Sequence, residues 1–167
     1  MSQEVDFAVA PQASSHEDIE SLPFDKVEMI PVIAKSLAKQ MPNLGYNSLC
    51  KFPQVIVFQS GDKGDLFKGD ARGVLSDSKK CFVTDHNLKH KMILNGFGWG
   101  RLPRSEIQNE LKKDVLVELK NEQVKPFTLD LHVMRLRHKP LGPVGKTVWE
   151  YLSKNALNKQ TAKRRKN

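Results

Sequence analysis

Two histidines four residues apart, a cysteine close to one of them, and three glycines within five positions mark where this chain's residue types and spacing could support chemistry. His86 and His90 fall at i, i+4, which puts both imidazoles on one face of a helix, as in a zinc-binding helix. No third ligand stands nearby and no glutamate occupies the HExxH position. No metal is therefore expected, and His86 reads as a surface or pocket-facing side chain. Cys81 with His86 imitates a thiol–imidazole pair, and Ser60 sits in a glycine-rich loop. Neither shows the base and orienting group that an activated nucleophile needs. The carboxylates are numerous, but no pairing follows from their spacing. The chain reads as a non-enzyme without a cofactor.

Gly96, Gly98 and Gly100 could be mistaken for a phosphate loop. That motif follows a strand and opens a helix; here the glycines follow an apolar-stepped helix and open a strand. They are expected to form a structural turn, with Pro103 ending the strand and suiting the first turn of a second helix. Trp99 is expected to pack in the core with its indole N–H satisfied.

The elements that must position these residues are legible in outline. Val5–Ala10 is apolar enough for a buried strand closed by Pro11, and residues 11–21 read as a surface loop. Residues 24–34 read as a strand broken or bulged near Pro31. Residues 36–40 and 47–51 are short helical turns, separated by the Pro42–Gly45 turn. The apolar run Val55–Phe58 suggests a strand covered on both faces, and Cys81–Val83 a short strand. Asp85 is a good N-cap for a helix over 85–95, with Gly96 closing it. A helix over 104–113, strands over 115–119 and 127–136, and an amphipathic helix over 144–152 complete the series. Alternating strands and helices point to an α/β fold with a mainly parallel sheet.

Composition narrows the class. A chain of 167 residues, 39% hydrophobic, with mean hydropathy −0.48, suits one soluble domain or one domain of two small lobes. No apolar run approaches membrane-spanning length, and the polar, acidic start argues against a secretory signal. Cys50 and Cys81 read as reduced thiols in a cytosolic protein. Of the net charge of +8, six basic residues lie in 154–167, and without them the formal charge is +2. Such a tail could touch phosphate backbones without specificity, or simply be solvated and disordered. A non-specific nucleic-acid-binding protein acting through that tail is the alternative reading of function.

Val5-Asp6-Phe7-Ala8-Val9, the Met29–Ala38 segment, the Phe52–Phe58 strand, the Gly96–Pro103 run ending in Leu-Pro, and Trp149–Leu152 come in a recognisable order. Together they resemble the effector-binding domain of LysR-type transcriptional regulators, a domain of the type 2 periplasmic-binding-protein fold. The resemblance covers roughly Val5–Lys154. It implies two lobes, each with a mixed, mainly parallel sheet. The winged helix-turn-helix and the opening of the effector domain have no counterpart, so an N-terminally truncated domain with an incomplete first lobe is expected. The implied division is 1–53 partial first lobe, 54–125 second lobe, 126–153 return strand and final helix, and 154–167 disordered basic tail.

The resemblance also implies a small-molecule effector in a cleft lined by strand-end loops. Those loops are Pro11 and Gln12; Gln59, Ser60 and Gly61; and Thr84, Asp85 and His86. The helix N-terminus after Thr84 would suit a carboxylate, unless Thr84 and Asp85 only cap the helix. A homodimer is implied, with DNA bound only through the helix-turn-helix and no membrane partner.

Overall fold

The computed structural model describes residues 5–11, 17–57 and 73–164, the stretch 156–164 as backbone only. In chain order the elements are β1 (Ala8–Pro11), β2 (Ile19–Ala34), α1 (Lys35–Ala38), α2 (Tyr46–Cys50), β3 (Gln54–Val57), β4 (Lys80–Val83), α3 (His86–Leu94), β5 (Trp99–Pro103), α4 (Gln108–Lys112), β6 (Leu116–Glu118), β7 (Phe127–Leu136) and α5 (Pro143–Arg164). Two compact units emerge: residues 28–127, and residues 1–27 with 128–167. The sequence placed residues 28–53 with the first lobe. The fold groups them with the larger unit, because Ile30, Val32, Ile33, Leu37 and Leu49 are buried in its core.

In the larger unit the second half of β2 pairs antiparallel with β5, from Met29↔Pro103 to Ile33↔Trp99. On its other edge it pairs antiparallel with β6, from Val32↔Glu118 to Ala34↔Leu116. β3 runs parallel to β4 over Gln54↔Lys80 to Val57↔Val83 and parallel to β5 at Gln54↔Trp99. The sheet is thus mixed, with parallel pairing confined to β3 and its two neighbours. Alternating strands and helices favour parallel order, but β5 lies between β2 and β3 and runs against β2.

β2 is longer than expected and unbroken at Pro31. The Pro31 carbonyl accepts the Leu119 N–H at 2.8 Å, while the β6 ladder begins only at Val32. The missing proline N–H therefore falls at the end of that ladder, where no strand bond is lost. The helix expected over 104–113 shrinks to Gln108–Lys112. The Arg104 N–H donates to the Glu28 carbonyl at 2.9 Å, and its side chain donates to Glu28 at 2.7 Å and to Glu118 at 2.8 and 3.1 Å. These bonds hold the chain as a turn beyond Pro103, which ends β5 rather than opening a helix.

In the smaller unit β1 pairs antiparallel with β7, from Ala8↔Met134 to Pro11↔Leu131. β1 starts later than expected and includes Pro11. β7 also borders the first half of β2. Arg135 donates to Glu20 at 2.8 Å, and Ser21 bonds His132 at 2.8 Å. Val133, Leu141 and Trp149 form the core, with Phe7 stacked on Trp149 at 5.9 Å. α5 continues to Arg164, so the backbone is helical where a disordered tail was expected from Lys154. Among the described residues no helix is long and apolar enough to cross a membrane.

Candidate functional site

β3, β4 and β5 run parallel, so their C-terminal ends share one edge of the larger unit. Ligands of open α/β sheets sit at such edges. The chain leaves β4 there as Thr84-Asp85-His86, all three exposed, and turns into α3. Asp85 Oδ1 accepts the Leu88 N–H at 2.8 Å, and the Thr84 hydroxyl donates to Asp85 at 3.4 Å. The carboxylate thus satisfies one free donor of the helix and places negative charge at its N-terminus. Pro11, also exposed, belongs to the smaller unit. Gln12, Gln59, Ser60 and Gly61 lie outside the described residues.

His86 and His90 part company along α3. His86 is exposed, whereas His90 is half-buried with Nε2 3.6 Å from Glu110 Oε1, beyond hydrogen-bond reach. Among the described residues no group of three His, Cys, Asp or Glu side chains could hold a metal. Cys50 and Cys81 are unbridged.

The glycine turn behind the site has a geometric account. Gly96 takes φ +76°, with its N–H on the Ile93 carbonyl at 3.0 Å and that of Phe97 on Met92 at 3.1 Å. That is a Schellman closure of α3. A Cβ on Gly98 would sit 2.2 Å from the Pro53 carbonyl oxygen, the same oxygen that accepts the Trp99 N–H at 3.0 Å. The Trp99 indole, fully buried, donates to the Leu49 carbonyl at 3.1 Å. Gly100 lies under α3, where a Cβ would meet Ile93 and the Val55 carbonyl oxygen, each at 2.9 Å.

Sequence reasoning missed two residues at this unit's centre. Lys89, one turn into α3, and Arg101, in β5, are only 8% and 6% exposed. Arg101 Nη1 donates to the Gly73 carbonyl and Nη2 to Lys125 O at 3.4 Å. Its guanidinium lies 5.5 Å over the Phe127 ring, and Nε is buried without an acceptor. The Gly73 carbonyl also takes Gln54 Nε2 at 2.8 Å, and Gln54 Oε1 accepts the Leu75 N–H at 2.9 Å. A side chain on Gly73 would strike the guanidinium, 2.3 Å from its Cβ position. The Lys89 stem crosses β5 at Gly100, its Cε 3.4 Å from where a Cβ would be.

Burial, and then the Arg101 charge, push the Lys89 pKa down to about 8; burial lowers that of Arg101. Among the described residues no carboxylate pairs with either cation. The smaller unit differs. Its described residues form a depression of about 400 Å³ beside Trp149. There Arg135 meets Glu20 at 2.6 Å and Lys139 meets Asp6 at 3.4 Å. Those charges are matched and near water, whereas Lys89 and Arg101 are buried and have no carboxylate partner among the described residues.

A family profile described as the LysR substrate binding domain matches residues 1–156. The chain belongs to that family. As a LysR substrate-binding domain it is an effector-binding regulatory domain, and the solved structures it resembles are transcriptional regulators rather than enzymes. The regulatory domain of HypT from Salmonella typhimurium, as an M206Q mutant, is 17% identical with TM-score 0.67, over 88% of this chain and 72% of that one. Full-length LysG from Corynebacterium glutamicum with bound effector Arg is 20% identical with TM-score 0.58, over 81% of this chain and 46% of that one. Full-length HypT, a hypochlorite-specific LysR-type regulator, is 18% identical with TM-score 0.66, over 92% and 52%. The LysR domain described here thus spans about half the length of the full-length regulators it matches. These likenesses carry the periplasmic-binding-protein-like fold. No curated protein matches by sequence.

Proposed function

We propose that this LysR domain binds a small carboxylate effector at the C-terminal edge of β3, β4 and β5, and that occupancy is passed to a DNA-binding module of a cytoplasmic regulator. The observation that carries the reading is the convergence of three parallel strand ends, with Thr84, Asp85 and His86 exposed beside them, in a domain of this family. Gln59, Ser60 and Gly61, which follow β3 in the sequence, are proposed as further contacts. LysG is described with bound effector Arg, a ligand that carries a carboxylate, which supports the proposed class. The mechanism is a population shift: the effector favours one arrangement of the domain and so changes how subunits pair in a homodimer.

The test is calorimetric titration with a panel of amino acids and small carboxylic acids. One compound should bind saturably, one per chain, and Thr84→Val should weaken it about tenfold, near the worth of one hydrogen bond to a charged group. Binding confined to compounds without a carboxylate would sink the proposed class. Binding that Thr84→Val and His86→Ala leave unchanged would sink the proposed edge.

A further inference from the structure

We infer that the smaller unit carries a second ligand site, a depression beside Trp149 that takes a small organic acid with one carboxylate on an apolar body. It is built wholly from that unit's own residues and does not depend on the effector reading above. The depression holds about 400 Å³, within the range of pockets that accept small molecules. Two stretches line it: residues between 135 and 141, at the end of β7 and in the turn that follows, and residues between 146 and 150 in α5.

Its floor is apolar. Leu141 and Trp149 are buried and line the depression together with Pro140. The Trp149 ring is held in place, because Phe7 stacks on it at 5.9 Å and the Arg135 guanidinium lies 5.1 Å over it. Gly145 keeps α5 close to this floor, since a Cβ there would stand 3.3 Å from Leu141 Cβ. The charges around the floor differ in what they already hold. Arg135 meets Glu20 at 2.6 Å, Lys139 meets Asp6 at 3.4 Å, and His138 lies 3.8 Å from Asp18. Arg137 and Lys146 are exposed at the rim, one from each stretch. Their backbones are fixed: the Arg137 N–H donates to the Asp18 carbonyl at 2.8 Å and the Lys146 N–H to the Gly142 carbonyl at 2.9 Å. They are the pair that would hold a carboxylate.

The chemical class follows from weighing floor against rim. Exposed ion pairs contribute little by themselves, so this rim alone would not retain inorganic phosphate. An apolar body laid on Leu141, Pro140 and the indole adds the burial that the charges lack. Glu150, one turn on from Lys146, also lines the depression, and its charge disfavours a second anionic group on the ligand. A single carboxylate on an apolar frame satisfies all of these conditions.

The test follows the Trp149 indole N–H of the full chain by NMR, assigned through its contacts with Phe7, as sodium phenylacetate is added. The Trp99 indole, donated to the Leu49 carbonyl, serves as the internal control. A saturable shift at Trp149 and none at Trp99 is expected. Lys146→Gln and Arg137→Gln should each weaken binding about tenfold, and both replace exposed side chains, where stability changes little. Phenylacetamide, of similar shape without the charge, should bind about tenfold more weakly or worse, and inorganic phosphate should leave the indole unmoved. Thr84→Val should leave the Trp149 response unchanged.

Three results would overturn the inference. Phenylacetate could leave the Trp149 indole unmoved, or bind equally well to both charge variants. Phosphate or phenylacetamide could bind as tightly as phenylacetate, which removes the need for the apolar body or for the charge. A shift confined to the amides of Thr84, Asp85 and His86 sinks this site and leaves the effector reading standing. A Trp149 response with no compound of any class bound at that edge does the reverse.

Discussion

Lys89 concentrates most of what is unusual at the level of single residues. Its folded pKa of about 8 lies below the usual 10.5, so between those values the unfolded chain binds more protons than the folded one. Stability carried by this residue therefore rises as pH climbs from about 8 to 10.5 and is at its lowest below that window. The full span corresponds to roughly 3 kcal/mol at most. Because alkaline pH changes the charge of the whole chain, the informative quantity is the gap between the parent and Lys89→Met. Urea midpoints at neutral pH and near pH 10 should show that gap shrinking; a constant gap would mean that Lys89 is not strained by its charge. Gly98 makes the contrasting case, in which shape alone decides. A methyl group there would lie 2.2 Å from the Pro53 carbonyl oxygen, an atom fixed by the Trp99 N–H. Gly98→Ala should destabilise by more than about 3 kcal/mol, in the tail reserved for named steric defects, as read from the same urea midpoints.

At the scale of elements, what could be read from sequence follows how local each determinant is. α3 was legible because its signals are its own: Asp85 as N-cap and Gly96 at φ +76° as the closing residue. Gly96→Ala should therefore cost about 1 kcal/mol through backbone strain alone. Chemical denaturation can check this, because nothing nearer than the Ser36 hydroxyl at 3.3 Å crowds the new methyl. β7 kept its expected bounds of 127–136, and its side chains alternate enough to declare the period. The start of β2, residues 19–21, was read as the end of a loop because its surroundings are polar. Glu20 and Ser21 become strand residues only opposite Arg135 and His132, partners over a hundred positions away. The proposed site divides along the same line. Thr84-Asp85-His86 stood out as a strand end beside a capped helix. No local signal marks Lys89 or Arg101: Lys89 is buried where α3 crosses β5 at Gly100, and Arg101 is buried against Gly73, Lys125 and Phe127.

For the molecule as a whole, the question is where its positive charge acts. The excess of +8 comes largely from residues 154–166, and the backbone there is helical to Arg164. Lysines and arginines can neutralise phosphates, and each contributes about 0.9 to the salt slope of duplex binding. Six basic residues thus set a ceiling near −5 for the slope of log K against log salt. Charge of this kind does not distinguish bases, since base identity is read by donors and acceptors placed in a groove. Fluorescence anisotropy on two unrelated duplexes should therefore give equal affinities at every salt concentration, and deleting 154–167 should flatten the slope toward zero. A preference for one duplex that survives the deletion would place nucleic-acid recognition in the folded units and refute this assignment of the charge.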